Sequence, residues 1–441
     1  MSDRQITAAP HGHLLTNAAT WTPDSRWLVF DTRSAVDGAV FDGTRIVRVL
    51  VATGRVETLY ESRHGASCGV VTASPVDDRV AFILGPERPD ADWRYGPARR
   101  QGVVVDASRP GIAEPLDARD LVPPFTPGAL RGGTHVHVWS PDGALVSSTY
   151  EDAVLDEATG GPCGPRWPAR HTNLRGVAVS VCGRAVRVPA AHPRNHDGSA
   201  FTVLTTDLAD APRPGGDEIV RACEEAWIGA RGYLRADGTR QRRALAFQGS
   251  VVAAGGRTIT EVFVLDLPDD PRALEVPGRG PLAGTATTRP APPRGVVQRR
   301  ITFTHDRSHP GLQGPRHWLR SSPDGSRIAC LMRDDRGIVQ LFAVSPLGGE
   351  PEQLSHDPWD VSSAFTWSPD GGRIAYVADA SVMTIDVATG ETRRLTHPTP
   401  GATAPRPEAC VFSPDGTKIA YLRTLPTAAG DFNQIFVVDA R

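Results

Sequence analysis

Short apolar runs recur along this chain, each set just behind a turn of nearly constant polar composition. The turns are Trp21-Thr22-Pro23-Asp24, Ser74-Pro75-Val76-Asp77, Trp139-Ser140-Pro141-Asp142, Ser322-Pro323-Asp324, Ser368-Pro369-Asp370 and Ser413-Pro414-Asp415. Behind them come Trp27-Leu28-Val29-Phe30, Arg79-Val80-Ala81-Phe82, Arg327-Ile328-Ala329-Cys330, Arg373-Ile374-Ala375-Tyr376 and Lys418-Ile419-Ala420-Tyr421. Proline presets one φ of the turn and the following Asp and Gly tolerate the rest, so each unit predicts a hairpin whose second strand is the apolar run. Third strands such as Gln340-Leu341-Phe342-Ala343-Val344 follow, and fourth strands such as Thr389-Gly390-Glu391-Thr392-Arg393-Arg394-Leu395-Thr396 close the unit. Pro323, Pro369 and Pro414 stand 46 and 45 residues apart. Four strands at that period make a propeller blade.

The long interval from Pro141 to Pro323 hides a degenerate unit, with remnants at Glu224-Glu225-Ala226-Trp227-Ile228-Gly229, Arg243-Ala244-Leu245-Ala246-Phe247, Glu261-Val262-Phe263-Val264-Leu265-Asp266 and Gln298-Arg299-Arg300-Ile301-Thr302. The expected fold is therefore all-β, a seven-bladed β-propeller forming one domain over residues 1–441. Its blades fall near 9–62, 63–118, 130–192, 199–304, 309–356, 357–398 and 399–441. The last blade lacks a fourth strand, and Arg4-Gln5-Ile6-Thr7 matches the missing Arg-Arg-Leu-Thr pattern. Residues 3–8 are thus expected to pair with the last blade and remove both open sheet edges. The Pro/Gly-rich stretches around 157–170, 210–218 and 268–297 read as insertions within blades.

Composition narrows the function classes. With 40% hydrophobic and 22% charged residues the chain is an ordinary globular one, and a net charge of -2 argues against a nucleic-acid surface. No stretch is long and apolar enough to span a membrane, and Met1 to Pro10 lacks the marks of a signal peptide, so a cytoplasmic protein is expected. The six cysteines lie far apart without a Cys-x-x-Cys pair and read as mostly buried thiols. The expected partner is a small molecule or an oligosaccharide, with no nucleic acid and no membrane.

The strand before each Pro-Asp turn is the innermost of its blade, and its start opens on the central channel. Six residues before the turn proline stand Asn17, Gly69, His135, His317, Ser363 and Glu408; four before it stand Ala19, Val71, His137, Leu319, Phe365 and Cys410. If Trp227 matches Trp21, Trp139 and Trp367, Glu225 joins His137 in the second layer. Residues two apart in a strand share a face, so His135 and His137 can present both imidazoles to one divalent ion, Mn, Fe or Zn, with His317 or Glu225 as third ligand. The plainer alternative is two histidines in a wet channel mouth, bonded to water or backbone. His317, Glu225 and Glu224 are the candidate proton-transfer residues, and Asn17, Arg131, Arg316 and Glu408 the candidate substrate contacts. Gly65-Ala66-Ser67-Cys68-Gly69 fits Gly-x-Ser-x-Gly but lacks the strand-turn-helix setting of a nucleophile elbow. His192, His196, His305 and His309 read as surface loop histidines. The four tryptophans read as packing between blades.

Through His13-Leu14-Leu15-Thr16-Asn17, Leu130-Arg131-Gly132-Gly133-Thr134-His135-Val136-His137 and Pro315-Arg316-His317-Trp318 the chain resembles, over nearly its full length, the YidR-like family of bacterial TolB-type propellers. More distantly, His-x-His just ahead of a Pro-Asp turn resembles the oligogalacturonate lyases, seven-bladed propellers with a channel-mouth manganese site. That resemblance implies a metal that binds a uronate carboxylate while a base removes the adjacent C–H proton and the 4-linked sugar leaves. The lyases carry a glutamine three residues before the first histidine, where this chain has Gly132. The expected function is a metal-dependent, lyase-like enzyme acting on a uronide or other oxidised sugar. The alternatives are a non-catalytic TolB-type propeller that binds a protein or small ligand at the same mouth, and an isomerase or hydrolase using the same site.

Overall fold

The computed structural model describes residues 3–36, 38, 40–158, 174–315 and 318–441. Their strands form seven four-stranded antiparallel sheets that follow one another along the chain as propeller blades. The inner strands are Gly12–Leu14, Cys68–Ala73, Gly132–Trp139, Ile219–Trp227, Arg320–Ser321, Thr366–Trp367 and Pro405–Phe412. In the seventh blade the outermost strand is Arg4–Gln5, which pairs antiparallel with Gly430–Asp439 through Arg4 opposite Val437 and Gln5 opposite Phe436. The N-terminus thus closes the ring.

The recurrent turn holds because one hydroxyl does two jobs. Ser140 donates to Asp142 at 2.6 Å and accepts from the Leu145 N–H at 3.0 Å, joining the turn to the start of the second strand. Ser322 and Ser413 repeat the arrangement. The apolar residues of adjacent blades face each other in layers: Leu15, Phe30 and Val49 of the first blade pack with Val411, Leu422 and Ile435 of the seventh. The tryptophans two residues before the turn fasten these layers. Trp21, Trp227 and Trp367 each donate Nε1 to a carbonyl on the preceding blade's inner strand, that of Val411, Val138 and Arg320, at 3.0 to 3.1 Å. Trp227 therefore occupies the same register as the others.

The end of the third blade differs from the sequence reading. The third blade runs to Gly198–Leu204, past the expected end at 192, because its third strand, Gly176–Val186, is 11 residues long and its outer strand follows downstream. Of the insertions, the one at 157–170 falls outside the described residues from 159 on, and the one at 268–297 joins Thr258–Asp266 to Val297–Arg300 within the fourth blade.

Candidate functional site

Three successive inner strands are not regular. The register shifts between Gly69 and Thr72, between His135 and Val138, and between Cys223 and Ala226. Within each shift one residue takes a left-handed backbone: Val70 at φ 59°, Val136 at φ 54° and Glu224 at φ 59°. Valine rarely accepts that conformation, so a bulge repeated at the same blade position is imposed by the surrounding sheet contacts.

The bulge breaks the alternation from which a shared His135–His137 face follows. His135 lies opposite Thr149 and Val138 opposite Ser147, so these two keep one face, while Val136 and His137 share the place opposite Ser148. His135 is half-buried, with its pKa held well below the ordinary range by burial and then by the charges of Arg100 and Arg175. His137 is 1% exposed and turns into the seam with the second blade. Its Nε2 lies 3.0 Å from Thr134 Oγ1, and that hydroxyl donates to Asp117 Oδ1 at 3.1 Å. Asp117 also accepts from the Gly102 N–H at 3.0 Å. A Cβ on Gly102 would stand 2.4 Å from Nε2, so only glycine admits the imidazole there. Burial alone pushes His137 down to about 3, leaving it neutral at ordinary pH, and burial lifts Asp117 to about 6.

Among the described residues the expected metal triad is not brought together. His135 and His137 diverge, His317 lies outside the described residues, and no group of three His, Cys, Asp or Glu side chains among the described residues is placed to hold an ion. His137 packs in the blade seam against Gly102 and Thr134. Arg316 likewise lies outside the described residues. Arg131 is fully buried, its guanidinium taken by Asp152 at 2.6 and 3.0 Å and by the Thr285 carbonyl, which leaves no face for a substrate. Glu408 is buried against Arg406 at 2.9 Å.

What the structure does bring together is Glu225, Glu224, Asn17 and a residue the sequence reading passed over, Arg320. The register position of His137 is held in the fourth blade by Glu225, and it too turns to the preceding blade, where Thr149 donates to its Oε2 at 3.2 Å. Its Oε1 has no partner. Burial pushes Glu225 up to about 7; its own N–H and Thr149 oppose the rise, Glu224 adds to it and Arg320 subtracts. Arg320 starts from the fifth blade, and its Nη2 donates to both the main-chain and the side-chain oxygen of Asn17 on the first blade. Its Nη1 donates to the Leu319 carbonyl at 2.7 Å, and its Nε has no partner. Burial lowers Arg320 to about 10, with Glu225 and then Glu224 opposing. Three residues before the turn proline the other blades carry Thr20, Thr72, Val138, Thr366 and Val411, so the lone arginine there was a visible signal.

The reverse correction applies to His196, expected on the surface, whose Nε2 is enclosed without a partner. Ser67 precedes the strand Cys68–Ala73 with no helix behind it, which removes the nucleophile-elbow reading.

Comparison with known proteins fits the architecture. A family model described as a protein of unknown function (DUF3748) matches residues 67–196. The chain is 47% identical over 420 residues, covering 95% of it and 94% of the relative, to the uncharacterized protein YidR of Escherichia coli (strain K12). Among solved structures, an oligogalacturonate lyase in complex with manganese superposes with a TM-score of 0.52 at 11% identity, over 99% of this chain and 92% of that one. The oligogalacturonate lyase of Vibrio parahaemolyticus gives a TM-score of 0.52 at 10% identity, over 99% and 93%.

Proposed function

The chain belongs to the YidR family, and we propose that its channel mouth binds an anionic, uronide-like sugar and carries out a lyase-type β-elimination. The observation that supports this most is Glu225: a buried carboxyl brought to about 7, with an unpartnered oxygen and a guanidinium close enough to moderate it. A base poised near neutrality suits proton abstraction at ordinary pH. The proton beside a carboxylate is too weakly acidic unless the developing charge is held, and Arg320 is the cation available for it. In the step, Glu225 takes the C–H proton, the electron pair becomes the ring C=C bond, and the C–O bond to the departing sugar breaks. The leaving oxygen takes a proton from solvent.

The fold shared with oligogalacturonate lyases supports the substrate class. His135 and His137 diverge, and no group of three His, Cys, Asp or Glu side chains among the described residues is placed to hold a manganese ion like that lyase's. Incubation of the protein with oligogalacturonides, with and without added Mn(II), tests the reading by the ultraviolet absorbance of the unsaturated uronide product. Product from the native protein and none from Glu225→Gln is the expected result. No product under either condition, with the sugar still bound, turns the reading to a non-catalytic propeller. The internally spent charges of Arg131 and Glu408 favour that second reading.

A further inference from the structure

A cleft of about 560 Å³ runs along the outer strand of the second blade, apart from the residues that surround Arg320. One wall is apolar, made by Leu84, Val103, Ile112, Ala113 and Pro115. At the polar end stand Arg119 and His196. Their main chains bridge each other, Arg119 N–H to His196 carbonyl at 2.9 Å and His196 N–H to Arg119 carbonyl at 3.1 Å. Residues opposed in an antiparallel bridge project to the same side, and both residues line the cleft.

Both side chains are left wanting a partner. Arg119 is 4% exposed; its Nε donates to the Gly132 carbonyl at 3.1 Å and its Nη2 to the Arg100 carbonyl, while the buried carboxyl of Asp117 favours its charge without any carboxylate of the described residues standing at ion-pair distance. An enclosed cation whose anion stands beyond ion-pair distance is costly to keep. Arg194, also in the lining, is by contrast paired with Asp90 at 2.7 Å. His196 Nδ1 meets the Asp197 carbonyl at 3.1 Å; a carbonyl only accepts, so Nδ1 carries the proton and the enclosed, unpartnered Nε2 is a bare acceptor.

We propose that this cleft binds a small hydroxy-carboxylate with an apolar arm: Arg119 takes the carboxylate, His196 Nε2 accepts from the hydroxyl, and the Leu84–Val103–Ala113 wall covers the arm. A single enclosed cation fits a single negative charge; elsewhere in the lining Arg194 is spent on Asp90 and the exposed Arg63 and Glu87 are opposite charges. Burial and the charge of Arg119 hold His196 down to about 3, so Nε2 stays an acceptor across the physiological range.

The test is titration calorimetry of the full-length protein with mandelate, with phenylacetate, which lacks the hydroxyl, and with inorganic phosphate. Mandelate is expected to bind about tenfold more tightly than phenylacetate, the worth of one hydrogen bond to a buried acceptor. His196→Leu should bring the two to equality by weakening mandelate alone. Arg119→Gln should lose both, and because Arg119 also braces two carbonyls, Ala113→Phe serves as the independent variant: it fills the apolar wall and should weaken both ligands about tenfold with an unchanged melt. The proposal is overturned if mandelate fails to bind at millimolar concentration, if it binds no better than phenylacetate or phosphate, or if Ala113→Phe binds it like the native protein.

Discussion

Arg320 and Asn17 meet from two blades that are not neighbours in the ring: Nη2 of Arg320, on the fifth, lies 3.2 Å from the main-chain oxygen of Asn17, on the first, and bonds its side-chain oxygen as well. The arginine is therefore a strut across the central channel, and the same guanidinium moderates the carboxyl of Glu225 on the fourth blade. Removing it should act on both. In Arg320→Met the titration of Glu225, followed by the carboxyl band in infrared difference spectra, is expected to move upward from about 7, because a favourable positive charge is lost while burial remains. A titration that stays in place or moves down would show that the two groups do not interact.

Glu225 also makes stability depend on pH in a defined direction. Its folded pKa lies above its ordinary value of 4.5, so between about 4.5 and about 7 the folded state holds more protons than the unfolded one. Stability contributed by this group is full below that window and falls as pH rises through it, by on the order of 3 kcal/mol at 1.36 kcal/mol per unit. Urea unfolding of the native protein and of Glu225→Gln, compared near pH 5 and near pH 8, should show the difference between them shifting in favour of the variant at the higher pH. A constant difference would mean that the carboxyl titrates normally.

His137→Ala should destabilise the protein rather than merely strip its channel. The imidazole fills the seam against Gly102, and its loss leaves a hole and the Thr134–Asp117 pair without its third member. A loss of about 2–3 kcal/mol is expected by denaturant unfolding. Gly102→Ala, which drives a methyl group onto the same Nε2, should have an effect in the same direction. Native-like stability in both variants would place the ring elsewhere.

Deleting residues 1–8 should lower the melting temperature by several degrees. The segment supplies the outer strand of the seventh blade, buries Ile6, donates Arg4 Nη2 to the Val51 carbonyl at 2.6 Å, and pairs Asp3 with Arg423 at 3.1 Å. Its loss exposes a sheet edge and unzips the junction of first and last blades. An unchanged melt would show that the ring does not depend on this closure.

The sequence by itself determined the architecture. Pro-Asp turns recur at a nearly fixed period, each hairpin's apolar run follows its turn, and Arg4-Gln5-Ile6-Thr7 carries the pattern the last blade lacks; these are local signals, written in turn chemistry and strand alternation, and they add up to seven blades without knowledge of any long-range contact. Counting back from the turn also put Trp227 and Glu225 in their proper register. What the count had no means of seeing was the bulge. A strand read as regular puts His135 and His137 on one face; one left-handed residue, Val136, sends His137 into the seam, and nothing in the local sequence marks a valine for that conformation. The partnering of charges was equally out of reach. Arg131 and Asp152, Arg406 and Glu408, Arg320 and Asn17, and Arg119 beside His196 all look alike as letters. Whether a charged side chain is spent on a neighbour or left free for a ligand depends on which distant strands the closed ring brings beside it, and only the tertiary structure decides that.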